Sequence, residues 1–208
     1  MNFGLEESSV DTDSFISFMR KLRERCHQAF VPAISEKCGR FLKILAQMYS
    51  SQRERLNVLE IGTGLGYSTL WIAKGLIDSN VKGKIYTIEV DSERAKRAME
   101  VLREANEVEG LVGVLNIVEV ICGDAKEIIP GIGIPLDFVF IDAKKTEYLT
   151  YLKLVEPLLN RNGIVVADNA ISHKTLLKDF LDEITSSPMW ETVIIPIDEG
   201  FSLSIKVK

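Results

Sequence analysis

Residues 57–68 read NVLEIGTGLGYS, a short apolar run that leads into glycines at positions 62, 64 and 66. Glycine has no Cβ atom, so it lets the backbone turn tightly and approach a ligand closely. The spacing is not the dinucleotide-binding G-x-G-x-x-G pattern, because Tyr67 stands where the third glycine would be. A P-loop is excluded as well, because no Gly-Lys-Ser/Thr follows. The stretch predicts a β-strand that ends in a glycine-rich, ligand-binding turn.

Outward from this stretch, apolar runs of strand length alternate with helical patterns, notably Ser92–Val108 and Thr146–Leu159. Near-continuous β-branched runs are typical of strands that are buried on both faces of a parallel sheet. The last two runs flank Asp198-Glu199-Gly200 and predict a hairpin. The strand candidates are Asn57–Ile61, Lys84–Val90, Asn116–Ile121, Asp137–Asp142, Gly163–Asp168, Glu191–Ile197 and Ser202–Val207. We predict an α/β fold with a doubly wound, mostly parallel seven-stranded sheet and a C-terminal antiparallel pair.

Two amphipathic helices are predicted before the first strand. One covers residues 13–29, with Asp11 or Asp13 as its N-cap, and the other follows Pro32 with Ser35 as its cap. Apolar side chains at helical spacing define them, namely Phe15, Phe18, Met19, Leu22 and Cys26 in the first and Phe41, Leu42, Leu45 and Met48 in the second. We predict a single domain over residues 1–208, with a helical cap at 1–50 and an α/β core at 56–208.

The composition is that of an ordinary globular protein, with 46% hydrophobic and 26% charged residues in 208. No apolar run is long enough to span a bilayer, and the acidic start MNFGLEESSVDTD lacks the pattern of an export signal. We therefore expect a cytoplasmic protein. Three widely spaced cysteines favour neither disulfides nor a zinc site, and the two histidines form no ligand motif.

The net charge of −5 is unevenly distributed along the chain. Residues 20–55 contain nine Lys or Arg and three Asp or Glu. Such a basic segment could attract RNA or a phosphate-bearing substrate, or it could be the solvated face of two helices. Both interpretations stay open at this point.

The E-x-G-x-G-x-G turn resembles motif I of class I methyltransferases, which bind S-adenosylmethionine. In that setting, the loop and the following helix would hold the aminocarboxylate end, with Glu60 accepting from the ammonium. Glu89 ends the second strand, where a carboxylate can accept from both ribose hydroxyls. Asp124 follows the third strand and could bind the adenine amino group. The predicted cofactor-binding residues are Glu60, Gly62, Thr63, Gly64, Gly66, Tyr67, Ser68, Glu89, Asp124, Ala125 and Asp142.

A second polar group follows the next two strands. Asp142 ends the fourth strand candidate, and Asp168 and Asn169 end the fifth. Adjacent parallel strands lie about 5 Å apart, so these oxygens can converge on one ion. Two carboxylates and an amide form a hard donor set that suits Mg²⁺. Lys145 is a candidate general base beside it.

These stretches resemble the metal-dependent O-methyltransferases, which include the catechol and caffeoyl-coenzyme A enzymes. The resemblance covers about residues 30–208 and is carried by FVFIDAKKTEY (138–148), VVADNA (165–170), VPAISEKCGRFL (31–42) and IPIDEGFSL (195–203). It implies a Rossmann-like fold, Asp142, Asp168 and Asn169 as metal ligands, and Asp142 and Lys145 as catalytic residues.

The chain departs from the family pattern in two places. Lys144 replaces an acid that many members carry, and the loop after Asn169 is short, which predicts a more open acceptor site. We expect methyl transfer to a hydroxyl of a small, metal-chelated catechol or vicinal diol, by a homodimer. The alternatives are a tRNA methyltransferase on the same scaffold, a non-catalytic S-adenosylmethionine-binding protein and a dinucleotide oxidoreductase, which Tyr67 disfavours.

Overall fold

The computed structural model describes residues 14–51 and 53–208, and it contains one seven-stranded sheet. The strands are β1 (Arg55–Ile61), β2 (Lys82–Glu89), β3 (Val118–Cys122), β4 (Leu136–Ile141), β5 (Leu159–Ala167), β6 (Trp190–Ile195) and β7 (Phe201–Lys206). Their order in the sheet is β3-β2-β1-β4-β5-β7-β6. The first five strands are parallel, and β7 pairs antiparallel with both β5 and β6. The predicted fold class is confirmed.

The helices cover both faces of the sheet, as a doubly wound topology requires. They are α1 (Ser14–Gln28), α2 (Glu36–Ser50), α3 (Tyr67–Asp78), α4 (Ser92–Ala105), α5 (Val114–Ile117), α6 (Ala125–Ile128), α7 (Tyr148–Val155) and α8 (Lys178–Ser186). One apolar cluster packs α1 to α4 against side chains such as Val58 and Phe138, and the other packs α7 and α8 against Leu59 and Val139. No helix within these described residues is long and apolar enough to cross a membrane.

The two N-terminal helices begin close to their predicted positions. Ser35 caps α2, since its side chain accepts a hydrogen bond from the amide of Cys38 at 3.2 Å. The candidate caps Asp11 and Asp13 lie outside the described residues. Met48, predicted to belong to the apolar stripe of this helix, is instead 67% exposed. The buried stripe of α2 instead runs through Leu42 and Ala46.

Several predicted boundaries are corrected by local turns. The third strand begins at Val118 rather than Asn116, because Gly113 adopts a left-handed conformation and starts the helical turn α5. The predicted helix Thr146–Leu159 divides into a 3-10 turn and α7, and it ends at Val155. The segment after Asn169, predicted to be a short loop, continues as a series of turns until α8 begins at Lys178.

Candidate active site

The carboxyl ends of the parallel strands lie at one edge of the sheet. Backbone hydrogen bonds continue the sheet pairing by one residue beyond the ends of β4 and β5. The amide of Asp142 donates to the carbonyl of Ile61 at 2.9 Å, and that of Asp168 donates to Ile141 at 3.0 Å. The register pairs Ile141 with Ala167, so the next residues, Asp142 and Asp168, are neighbours across β4 and β5. The two strand ends are therefore neighbours in the sheet, as predicted, and the convergence of their side-chain oxygens on one ion stays a prediction.

The glycine loop lies directly against this edge. Gly62 has a φ of 101°, and a Cβ atom there would collide with the carbonyl oxygen of Asp142. Any other residue would push the loop away from the end of β4. Gly66 is also left-handed and stands at the N-cap of α3. The requirement for glycine at Gly62 thus couples the turn after β1 to the acid after β4.

Glu60 lies beneath this loop and is completely buried. Its carboxylate accepts hydrogen bonds from the hydroxyls of Ser68 and Thr87, both at 2.6 Å, and from that of Thr69. Burial raises its pKa to about 7, although the three hydroxyls act in the opposite direction. The structure therefore places Glu60 as a buried support of the loop and of Ser68, and its contact with a ligand ammonium stays a prediction.

Glu89 is positioned by two backbone amides at the end of β2. One oxygen accepts from the amide of Gly64 at 2.8 Å, and the other accepts from that of Asp91 at 3.0 Å. The side chain is 5% exposed, yet it lines a cavity of about 500 Å³. An oriented carboxylate at this point can accept hydrogen bonds from a diol such as ribose.

The cavity is lined by most of the predicted cofactor residues. These are Gly62, Thr63, Gly64, Tyr67, Ser68, Glu89, Asp124, Ala125 and Asp142, together with Lys145. Glu60 and Gly66 do not line this cavity. The segment from Val31 to Ile34 forms part of the wall as well. It belongs to the 31–42 stretch, although none of its residues was predicted to bind the cofactor.

A network of charged side chains at one end of the cavity was missed at the sequence level. Glu147 accepts from Lys144 at 2.9 Å, from Lys126 at 3.0 Å and from the hydroxyl of Tyr151 at 2.7 Å. Lys126 also lies 3.4 Å from Asp124. Hydrogen bonds from Lys144, Tyr151 and Lys126 lower the pKa of Glu147 to about 2. The only sequence signal was Lys144 itself, which replaces the usual acid.

Asp142, Asp168 and Lys145 form a compact charged group. Lys145 Nζ lies 2.9 Å from Asp142 Oδ1. Burial, followed by the charge of Asp142, raises the pKa of Asp168 to about 7. Asp168 and Asn169 are each only 7% exposed. Because the charge of Asp142 disfavours ionisation of the nearly buried Asp168, a cation at this position would stabilise the charged form of Asp168.

No group of three or more His, Cys, Asp or Glu side chains is gathered around a potential metal position within residues 14–51 and 53–208. The predicted set has two carboxylates and one amide oxygen, from Asp142, Asp168 and Asn169. Its donors are hard oxygens, as Mg²⁺ requires. The residues present therefore fit such an ion chemically.

The segment after Asn169 is held by the hairpin between β6 and β7. The amide of Ala170 donates to the carbonyl of Gly200 at 2.8 Å, and that of Ser172 donates to Glu199 at 3.0 Å. Residues 171–177 then form turns before α8. The motif at 195–203 thus contributes to the site by fixing the path of this loop.

The basic segment 20–55 is largely engaged in ion pairs within the fold. Five of its nine cationic side chains have carboxylate partners, namely Arg20, Arg25, Arg40, Lys43 and Arg53. Arg53, for example, bonds the nearly buried Asp137 at 3.0 Å. This pairing favours the interpretation of the segment as structured helical surface over that of an RNA-binding patch.

Comparisons with known proteins identify the family of this chain. A family model described as O-methyltransferase matches residues 6–207. The catechol O-methyltransferase of Mycobacterium tuberculosis is 36% identical over 140 residues, which cover 67% of this chain and 57% of that enzyme. The catechol O-methyltransferase of Niastella koreensis is 34% identical over 168 residues, which cover 77% of this chain and 67% of that enzyme. The chain thus spans less than two thirds of the first relative's length.

A solved structure shares the fold as well. The O-methyltransferase TomG from Streptomyces achromogenes, involved in tomaymycin synthesis and crystallised in complex with SAM, superposes with a TM-score of 0.76 at 26% identity. The superposition covers 92% of this chain and 90% of that one. With a family model matching nearly its whole length, this chain belongs to the O-methyltransferase family.

Proposed function

We propose that this protein transfers the methyl group of S-adenosylmethionine to a hydroxyl of a small molecule that chelates Mg²⁺ through two neighbouring oxygens, such as a catechol or another vicinal diol. The observation that carries the proposal is the placement of Asp142 and Asp168 at adjacent strand ends, with Lys145 Nζ 2.9 Å from Asp142. The two catechol O-methyltransferases among the relatives support the choice of acceptor class.

The cavity beside the glycine loop is the proposed cofactor site. Glu89, whose oxygens are oriented by two backbone amides, would bind the ribose hydroxyls. Asp124 lines the same cavity and would accept from the adenine amino group. Ser68, held by Glu60, lies at the start of α3 and would face the aminocarboxylate end. The sulfonium methyl group would then lie toward Asp142 and Lys145.

Asp142, Asp168 and Asn169 would hold the divalent cation. Such a cation, when bound, makes a hydroxyl that coordinates to it more acidic. Lys145 lies beside Asp142 and, in its neutral form, can take the proton of the acceptor hydroxyl. The acceptor oxygen then forms a bond to the methyl carbon while the carbon–sulfur bond breaks, which releases S-adenosylhomocysteine. Because charge is neutralised in this step, the chain contributes chiefly by holding the two reactants in line.

A methylation assay with labelled S-adenosylmethionine tests the proposal. We expect catechol to be methylated and resorcinol, whose hydroxyls are too far apart to chelate one ion, to be inert. EDTA should abolish turnover, and added Mg²⁺ should restore it. Asp168→Ala should lose activity and retain affinity for S-adenosylhomocysteine. Equal turnover of both diphenols, or turnover that EDTA leaves unchanged, would remove the cation from the mechanism.

The same preparation can test the RNA alternative. Binding to bulk tRNA through phosphate contacts would weaken steeply as salt concentration rises. We expect weak binding, because most cations of residues 20–55 are already paired. Methylation of tRNA in place of diphenols would favour the alternative.

A further inference from the structure

Asn169, Ser172 and His173 form a short chain of hydrogen bonds next to the acid pair. Asn169 Nδ2 donates to Ser172 Oγ at 3.3 Å, and Ser172 Oγ lies 2.9 Å from His173 Nδ1. The backbone amide of His173 also donates to the carbonyl of Asn169 at 3.0 Å. Neither Ser172 nor His173 lines the cofactor cavity, and the proposed chemistry does not use them.

The order of protons along this chain follows from the chemistry of its groups. An asparagine amide has a nitrogen that only donates and an oxygen that only accepts, and a hard cation binds only the oxygen. Because Asn169 Nδ2 donates to Ser172 Oγ, the serine proton is free to go to His173 Nδ1. His173 accepts it when the ring proton is on Nε2. The hydrogen bond to Ser172 thereby fixes the amide nitrogen of Asn169. The amide oxygen, Oδ1, is left as the atom that can coordinate a cation.

The backbone of this loop is held separately. The amides of Ala170, Ile171 and Ser172 donate to the carbonyls of Gly200 and Glu199 at 2.8 to 3.1 Å. These bonds involve no side chain of Ser172 or His173. Removal of the serine hydroxyl should therefore change the orientation of the Asn169 amide and leave the path of the loop in place.

We propose that Ser172 and His173 are positioning residues that orient the Asn169 amide toward a divalent cation shared with Asp142 and Asp168. The inference rests on the proposed function, because it presupposes a cation at these residues. Hydrogen-bonded partners behind a metal ligand fix its orientation, and loss of one typically weakens metal affinity about 10–100-fold. A side chain that only stabilised the loop would have no such effect on metal affinity.

The test is a titration of the full chain with Mn²⁺ in the absence of acceptor, with free Mn²⁺ followed by electron paramagnetic resonance. We expect Ser172→Ala to weaken Mn²⁺ binding about 10-fold. Ser172→Thr retains the hydroxyl and should stay within about threefold of the unmodified protein. His173→Phe removes the acceptor of the serine proton and should also weaken binding. Affinity for S-adenosylhomocysteine, measured in parallel, should not change.

Two matched control variants distinguish a specific loss of Mn²⁺ affinity from a general loss of stability. Ser51→Ala removes a hydroxyl that bonds only a helix carbonyl, and His27→Phe replaces the other histidine of the chain. Both should bind Mn²⁺ normally. If Ser172→Ala does not fold, the Mn²⁺ affinity of His173→Phe tests the proposal instead: weakened binding supports it, and normal binding overturns it.

The outcomes distinguish this inference from the proposed function beneath it. Normal Mn²⁺ affinity in both Ser172→Ala and His173→Phe, with binding lost in Asp168→Ala, would overturn the positioning role alone. An unmodified protein that binds no Mn²⁺, or an Asp168→Ala variant that binds it normally, would overturn the cation site and this inference with it.

Discussion

Lys145 Nζ lies 2.9 Å from Asp142 Oδ1, and the same ammonium lies 5.6 Å from the ring centroid of Tyr148. The lysine is thus fixed between an acid and a buried aromatic ring. Lys145→Met keeps much of the side-chain length and removes the group that can take a proton. We expect kcat for catechol to fall by about 10²–10⁴. Lys153→Met, which removes a surface ion pair with Glu183, is the control and should be fully active.

Glu60 should make stability depend on pH. Its pKa is raised to about 7 by burial, whereas a glutamate in an unfolded chain has a pKa of about 4.3. The folded protein therefore retains a proton that the unfolded chain loses, so the free energy of unfolding should fall as pH rises from about 4 to 7. Glu60→Gln removes the contribution of Glu60 to this dependence and leaves that of Asp168, whose pKa is also raised to about 7. Urea unfolding at several pH values should show a flatter profile for this variant than for the exposed control Glu54→Gln, and parallel profiles would contradict the expectation.

Gly39 and Trp71 are in direct contact between α2 and α3. A Cβ atom at position 39 would collide with the indole ring, which is 1% exposed and packed edge-on by Phe15 at 4.9 Å. Gly39→Ala should therefore destabilise the protein by about 1–3 kcal/mol through overpacking. Gly131→Ala is the matched control, since nothing lies within 4 Å of its added Cβ. Thermal melting compares the two, and equal melting temperatures would show that the helices can separate freely.

A non-glycine residue, Phe30, occupies the left-handed position in the turn that follows α1. The amide of Val31 donates to Cys26 and that of Phe30 to His27, which is the Schellman pattern, and Phe30 occupies the left-handed position with a φ of 53°. Its side chain is 92% exposed, so packing offsets none of the strain. Phe30→Gly should stabilise the isolated protein by about 1 kcal/mol. Phe30→Ala retains the strained backbone conformation and should not be more stable than the unmodified protein. A gain in stability in Phe30→Ala but not in Phe30→Gly would contradict this explanation.

The elements that the sequence predicts well are those set by local pattern. Each parallel strand contains an apolar run, which is most nearly continuous in β4 (LDFVFI) and in the second half of β5 (GIVVA). An acid follows the last residue of each of these two strands. Because the register pairs Ile141 with Ala167, position along the chain translates directly into proximity of Asp142 and Asp168. The parallel arrangement of β4 and β5 therefore explains why the proximity of Asp142 and Asp168 could be predicted from the sequence.

Features that depend on contacts between distant segments were not predictable in this way. Glu60 is surrounded by hydroxyls from α3 and from Thr87 on β2, and no local pattern shows that these will converge. The bond between Lys126 and Glu147 joins residues 21 positions apart, one in α6 and the other in the 3-10 turn before α7. Met48 has helical spacing relative to Phe41 and Leu45, yet it is exposed, because the buried face of α2 runs through Leu42, Ala46 and Ser50.

The insertion of β7 between β5 and β6 has a consequence for biosynthesis. The amides of Ala170, Ile171 and Ser172 donate to the carbonyls of Glu199 and Gly200, which emerge from the ribosome about 30 residues later. Contacts of such high sequence separation form late during folding. A nascent chain can therefore assemble β1 to β5 and the cavity beside the glycine loop first, whereas the proposed acceptor side matures only once β7 has been made. Ribosome-stalled intermediates should accordingly bind the nucleoside before they are able to catalyse.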